Sequence, residues 1–432
     1  MKQMIVLAKD LLSKIFDILN RKQRYLTFLV FFLTLIGALL EVIGVSAVLP
    51  LIQAMIYPDQ LRENALVKKL IAIFHIGGNT QLLLLISFGV VGVYLIKNGY
   101  LIFLSYVRIK YSTAIQRELG IRIMNIYMKQ GYPFFIKSNT NDLYRGITGD
   151  VAGIYNILNF GFRLIAESIT VVCICIYMFI TDWIMAIFVA TFALISVLII
   201  MLFGKKKMRK LGEDYRKYDM LTRKWSAQAF QGIKEVLVLN RQEFFINRYR
   251  ESTTKQQSAM VKQTVAAESP TYILEFACVV GLIFAVAFRT IMGVDNTSFV
   301  LNIAAFAVSA FRIMPSLGRI ANAVNNILFN IPALNKTYET TKMKNVLENR
   351  GEILDDKRQG DFSFKKEISL KNICWRYEGG QEDTIHHLNL TIKKGDAIAF
   401  IGESGTGKST IADIILGLFR PQQGEICVDG ID

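Results

Sequence analysis

Gly402-Glu403-Ser404-Gly405-Thr406-Gly407-Lys408-Ser409-Thr410 fits the pattern G-x-x-x-x-G-K-[ST], with Gly402, Gly407, Lys408 and Ser409 in the fixed places. The apolar run 397–401 before it predicts a buried strand, and 411–417 after it predicts a helix closed by glycine. Strand, glycine loop and helix together make a phosphate site. Glycines let successive backbone N–H groups turn inward on an anion, and the helix N-terminus adds partial positive charge. In such a loop Lys408 reaches the β- and γ-phosphates, and the Ser409 hydroxyl completes the shell of a Mg²⁺ ion.

The rest of the chain is of a different kind. Apolar residues make up 52% of the 432, gathered into long runs rather than spread at core periodicity, which is the pattern of an integral membrane protein. A net charge of +15 would suit nucleic acid. The basic residues, however, cluster beside the apolar runs, where cytoplasmic loops face anionic headgroups. That argues for the bilayer as partner and against nucleic acid. Of five cysteines, Cys173, Cys175 and Cys278 lie in apolar runs and Cys374 and Cys427 near the glycine loop. None has metal-ligand spacing.

Residues 1–20 alternate apolar with charged positions and read as an amphipathic helix lying in the interface, not as a cleavable signal. The basic cluster Arg21-Lys22-Gln23-Arg24 follows. Six spans are predicted, at about 25–56, 82–104, 160–180, 183–203, 272–292 and 299–324. Each is long enough for a hydrocarbon core of about 30 Å. The intervening segments 108–150 and 205–262 are rich in Lys and Arg, whereas the turns at 181–182 and 293–298 carry none. The positive-inside rule then puts the long segments, the N-terminus and the glycine loop in the cytoplasm. Both long segments read as helical extensions of the spans. Each holds a turn-like patch, 138–142 and 231–240, suited to contacting a soluble domain. The expected partition is an interfacial helix at 1–20, a membrane domain at 21–334, a polar linker at 335–363 and a soluble α/β domain at 364–432. Within the last, 368–373 and 388–392 alternate as strands.

Six spans with cytoplasmic extensions, joined to NICWRYEGG and then GESGTGKST, resemble an ABC exporter half-transporter. The resemblance implies a six-helix exporter-type transmembrane domain, then the N-terminal part of an ABC ATP-binding domain. It implies ATP and Mg²⁺ as cofactors, held by Tyr377 and by Gly402, Glu403, Ser404, Gly405, Thr406, Gly407, Lys408, Ser409 and Thr410, with Ser409 on the metal. Tyr377 stands where the family places an aromatic ring against adenine; an ordinary strand tyrosine is the other reading. The resemblance also implies a homodimer in a bacterial cytoplasmic (inner) membrane.

Within the membrane half, AFRIMPSLGRIANAVNNI and GALLEVIGVSAVLPLI look like the corresponding helices of bacterial lipid-linked oligosaccharide flippases of the protein-glycosylation type. Arg312, Ser316, Arg319, Asn322 or Asn326, and Asn330 fall on one helical face. Two arginines in a span need a cavity or a partner, and no acidic residue neighbours them on this helix. A pyrophosphate is one natural partner. Snorkelling to headgroups, or pairing with Glu41 or Glu275, is the alternative. Pro315 should bend the helix. Lys97 and Glu41 are further candidates for the same cavity, and Arg163–Glu167 at i,i+4 reads as an ion pair. Segment 58–75 is expected to be amphipathic and external.

The 432 residues end soon after the glycine loop. The Q-loop glutamine, LSGGQ signature, Walker B carboxylates and switch histidine of the family are not among them, and the adjacent His386 and His387 sit badly for a base. No catalytic residue is therefore assigned. This stretch alone is expected not to hydrolyse ATP efficiently, and to be part of a longer transporter. The function expected of that transporter is movement of a lipid-linked oligosaccharide or related polyprenyl-pyrophosphate lipid across the membrane. An exporter of another cargo, or a non-catalytic membrane partner, are the alternatives.

Overall fold

A computed structural model describes residues 2–47, 50–51, 54–55, 67–68, 78–181, 183–291, 296–343, 364–377 and 379–431; of some of these, 192–206 and 296–312 among them, it describes the backbone only. The helices are α1 (Lys2–Ile18), α2 (Arg21–Ser46), α3 (Asn79–Met128), α4 (Tyr132–Lys137) and α5 (Thr140–Arg145). A π-turn, Gly146–Asp150, leads into α6 (Val151–Thr181), α7 (Trp183–Gln231), α8 (Ile233–Val238), α9 (Gln242–Ile291) and α10 (Asn296–Thr341). Strands β1 (Glu367–Trp375) and β2 (Ile385–Lys393), helix α11 (Lys408–Ile415) and strand β3 (Gln423–Val428) follow. Two compact units result, one of Met1–Ile121 with Arg145–Thr341, the other of Arg122–Tyr144 with Lys342–Asp432.

The first unit is helical and apolar. Among the described residues, Arg21–Gly44, Asn79–Met128, Thr140–Ile176 and Gln242–Phe288 are long and apolar enough to cross a membrane. Helices α7 and α10 cover the other two expected spans. The external segment 58–75 lies almost wholly outside the described residues. Helix α10 continues through 335–341, so the first residues of the expected linker are helical, with Thr337 and Thr340 buried against the bundle.

Small residues and side-chain bonds to backbone hold this unit together. A Cβ on Gly212 would lie 2.0 Å from the carbonyl oxygen of Phe329, and one on Gly318 would lie 2.5 Å from Thr271 Oγ1. Only glycine admits the Phe329 backbone at Gly212 and the Thr271 side chain at Gly318 so closely, the usual device where lipid removes the hydrophobic drive between helices. Pro270 interrupts α9 and leaves the carbonyl of Ala266 without its helical donor. Asn325 on α10 donates to that carbonyl at 2.8 Å, and Asn322 donates to Ala267 at 3.4 Å. Gln263 donates to Asn326 Oδ1 at 3.1 Å.

At the π-turn the packing is ionic. Asp150 (0% exposed) receives Arg216 through Nη2 at 3.0 Å and lies 3.3 Å from Arg145 Nε. Asp219 takes Arg145 Nη1, Arg223 at 3.2 Å and the amide of Gln256 at 2.9 Å. Two buried carboxylates, Asp150 of the π-turn and Asp219 of α7, are thus shared among three arginines of α5 and α7, with Gln256 of α9 joining at Asp219. Sequence reading did not find them, because the bonds that join separate elements, Arg145 to Asp219, Arg216 to Asp150 and Gln256 to Asp219, span 37 to 74 residues.

The second unit carries a three-stranded antiparallel sheet in the order β2-β1-β3. In β1 both Leu370 and Ile373 are buried, an odd separation that simple alternation forbids. A bulge between them supplies the extra residue, and Asn372 sits at φ +53 to make it. Leu370, Ile373, Trp375 and Ile385 then form one core with Ile414 of α11 and Phe419. That core seats the helix following the glycine loop.

The strand expected at 397–401 does not form. Those residues pair with no strand among the described residues, and Ile401 is 94% exposed. Local apolar sequence specifies an extended chain, but a strand exists only through hydrogen-bonded neighbours.

Candidate functional site

The glycine loop closes onto the first turn of α11. Gly407 is the N-cap at φ +86, a conformation that side chains resist. A Cβ there would also lie 2.8 Å from Ile385 Cδ1 and 3.2 Å from the carbonyl of Thr384. Gly405, at φ +91, makes the second left-handed turn. Thr406 Oγ1 donates to the carbonyl of Glu403 at 2.9 Å. The Lys408 ammonium donates to the carbonyls of Gly402 and Glu403 at 2.7 and 2.5 Å, so its charge stands inside the loop. Ser404 and Ser409 are exposed and Thr410 is buried. A curled backbone, a lysine at its centre, a helix N-terminus and an exposed hydroxyl are the donor set of an anion site.

Tyr377 meets this loop. Its hydroxyl lies 3.1 Å from Thr410 Oγ1, while its ring stands edge-on to Trp375 at 4.3 Å and to Phe419 at 5.9 Å. The preceding residue is clamped: Gln422 Oε1 accepts from the Arg376 N–H at 2.8 Å, and Gln422 Nε2 donates to the Arg376 carbonyl at 2.9 Å. With its backbone held on one side and its ring flanked on the other, Tyr377 keeps 43% of its surface open beside the loop. Within the same unit Phe419 also meets Tyr132, ring centroids 5.4 Å apart. Phe419 and Tyr132 escaped sequence reading, since ring pairs carry no spacing signal. Tyr132 lies just before the turn-like patch expected at 138–142.

The membrane candidates separate. Arg319 donates through Nη2 to Glu167 Oε2 at 2.9 Å and to Ser316 Oγ at 3.0 Å, and through Nε to Glu167 Oε1. Its partner is therefore Glu167 of α6, rather than Glu41 or Glu275, and Glu167 faces Arg319. Glu41 accepts from Thr170 Oγ1 at 3.2 Å. Glu167 and Thr170 are one turn apart, so α2, α6 and α10 share a polar ladder. The Lys97 ammonium stands 4.3 Å over the Tyr94 ring. The side chain of Arg312 lies outside the described residues. Asn322 and Asn325 are engaged with α9, as is Asn326 through Gln263, while Asn330 donates to the carbonyl of Asn326 at 2.8 Å. That stretch of the polar face is a helix–helix seam.

Comparison with known proteins agrees with both halves of the chain. The family model for the ABC transporter transmembrane region matches residues 27–314, and the ABC transporter model matches 385–432. A protein of Syntrophus aciditrophicus (strain SB) is 22% identical over 355 residues, covering 82% of this chain and 58% of its own length. One of Vibrio vulnificus (strain YJ016) is 22% identical over 317 residues, covering 72% and 52%. One of Salmonella typhimurium is 23% identical over 315 residues, with the same coverage. All three are named ATP-dependent lipid A-core flippase. The chain thus spans between half and three fifths of these relatives.

Proposed function

This chain belongs to the ABC transporter family, and from that membership we propose that it binds ATP with Mg²⁺ and serves a transporter moving a lipid across a bacterial cytoplasmic membrane. The observation that carries the proposal is the meeting of the glycine loop with Tyr377. The fit is favourable. In this reading the loop amides and Lys408 serve phosphate oxygens, Ser409 Oγ the metal, and the open part of the Tyr377 ring adenine. Bound Mg²⁺ would neutralise phosphate charge and fix the orientation of the chain of phosphates. The residues themselves bind and orient.

Lipid as cargo draws support from the names of the relatives. A second copy as partner draws support from the patch at 231–240. Leu237, Val238 and Leu239 are exposed there, as is the adjoining Phe230, in a charged segment away from the expected spans. Such a patch suits the soluble domain of another chain.

The finer cargo, a polyprenyl-pyrophosphate-linked glycan, rests on the sequence pattern of the first and sixth spans. With Arg319 held by Glu167, the cationic role in that reading passes to Arg312. The test is native mass spectrometry of the purified protein with a pyrophosphate-linked lipid and with the same lipid lacking phosphate. Retention of the first only, lost in Arg312→Ala, supports this cargo. Equal retention of both lipids, or retention unchanged in Arg312→Ala, removes it and leaves a lipid of another class.

A further inference from the structure

Helix α1 does not lie flush on the bundle. Between it, α2, α6 and α10 is a cavity of about 420 Å³, within the range of small-molecule pockets, about 300–1,000 Å³. Leu11 and Ile15 of α1, and Leu19 just after it, line the cavity with Leu158 of α6 and Leu328 of α10. Two polar side chains reach its wall, Thr27 and Asn325, and both are engaged. Thr27 Oγ1 donates to the Gln23 carbonyl at 2.8 Å and is hydrogen-bonded to the Tyr111 hydroxyl. Asn325 donates to Ala266. An apolar cavity without free polar groups does not hold water; engineered ones of roughly 150 Å³ stay dry and accept hydrocarbon. A polar ligand would find no partner here. A hydrocarbon chain would.

The rim supplies the other half of an amphiphile's site. Leu19 and Thr27 both line the cavity, and between them in sequence stand Arg21, Lys22 and Arg24, all exposed. The Arg24 Nε donates to the carbonyl of Leu19 at 3.0 Å, which places that guanidinium at the edge of the cavity. These three cations begin the span Arg21–Gly44, where a bilayer presents its headgroups, and basic clusters beside a span attract anionic ones.

We propose that this cavity holds one acyl chain of an anionic membrane phospholipid, with Arg21, Lys22 and Arg24 on its headgroup. The lipid fills the space under α1 and fastens that helix to the bundle. It is a resident of the fold, separate from the polar ladder of Glu41, Glu167 and Arg319.

Gly161 provides the test, because it lines the cavity and a Cβ built on it meets nothing within 4 Å. Gly161→Leu should fill the space without disturbing α6. The protein is to be reconstituted in vesicles of phosphatidylethanolamine and phosphatidylglycerol, extracted, and weighed by native mass spectrometry. Wild type should retain one phosphatidylglycerol per chain and Gly161→Leu none, with helical circular dichroism unchanged. The combined variant Arg21→Gln, Lys22→Gln and Arg24→Gln should retain a lipid but no longer prefer phosphatidylglycerol. Wild type without lipid overturns the site, as does a folded Gly161→Leu retaining lipid like wild type. An undiminished preference in the combined variant overturns the headgroup assignment. If Gly161→Leu does not fold, Leu158→Trp replaces it with the same readout.

Discussion

Asn325 donates its side-chain amide to the carbonyl of Ala266 at 2.8 Å, and Pro270, four residues on, is what leaves that carbonyl without a helical donor. One helix thus repairs a break in another. Asn325→Ala leaves a buried carbonyl unsatisfied and should cost about 1–3 kcal/mol. Pro270→Ala returns a backbone N–H to α9, so the same Asn325→Ala should cost less in that background. Thermal unfolding of the four proteins in detergent checks this. Equal losses in both backgrounds would mean that the asparagine does not answer the proline.

Asp150 is buried between Arg145 and Arg216. Asp150→Ala strands charge in the interior and should destabilise the first unit by about 3–5 kcal/mol. The exposed Lys255–Glu251 pair, at 2.7 Å on α9, is the control; Glu251→Ala should leave stability close to that of wild type. Chemical denaturation in detergent reads both. Similar losses would show that the network at the π-turn contributes no more than a surface pair.

These two features mark the limit of what the sequence made legible. The glycine loop, its helix and the alternating strands are local, and they stand where local patterns predicted. The long helices are local too. The network is not: Asp150 meets Arg216, and Glu167 meets Arg319 across 152 residues. Nothing in the spacing of either partner names the other. The asparagines of α10 fall on one face whether that face meets a ligand or a helix, so periodicity could not choose. Pro270 was visible throughout, yet its meaning appears only once Asn325 is seen against Ala266. The strand expected at 397–401 is the reverse case, in which local propensity was present and the neighbour was not.

The Tyr377 ring and hydroxyl have separable roles. The ring is proposed to stack on adenine, while the hydroxyl lies 3.1 Å from Thr410. Tyr377→Phe should keep nucleotide affinity near that of wild type. Tyr377→Ala should lose about 1–3 kcal/mol, the scale of aromatic stacking on a base. Titration with a fluorescent ATP analogue separates them; equal losses in both variants would assign the affinity to the hydroxyl.

Asp429 ties the start of β1 to the end of β3. Its carboxylate accepts the N–H groups of Lys365 and Lys366 at 2.6 Å and of Glu367 at 2.9 Å. The Lys365 N–H foremost, with those of Glu367 and Lys366, holds the carboxyl below its ordinary range. A depressed folded-state value stabilises above the ordinary carboxylate pKa of about 3.9 and is lost as pH falls through the depressed value. Protection of the amides at 365–367 against hydrogen exchange should be full at neutral pH and fall in that acid window. In Asp429→Asn it should be low throughout. A pH profile unchanged by the substitution would remove the carboxylate from this role.

The most direct measurement is photolabelling of the membrane-embedded protein with a photoreactive adenine nucleotide, in wild type and Lys408→Ala, followed by mapping of the labelled peptide. The expected result is label on the segment carrying Tyr377, displaced by ATP and absent from Lys408→Ala. Label that persists in Lys408→Ala, or a wild type that takes none, would contradict nucleotide binding at this loop.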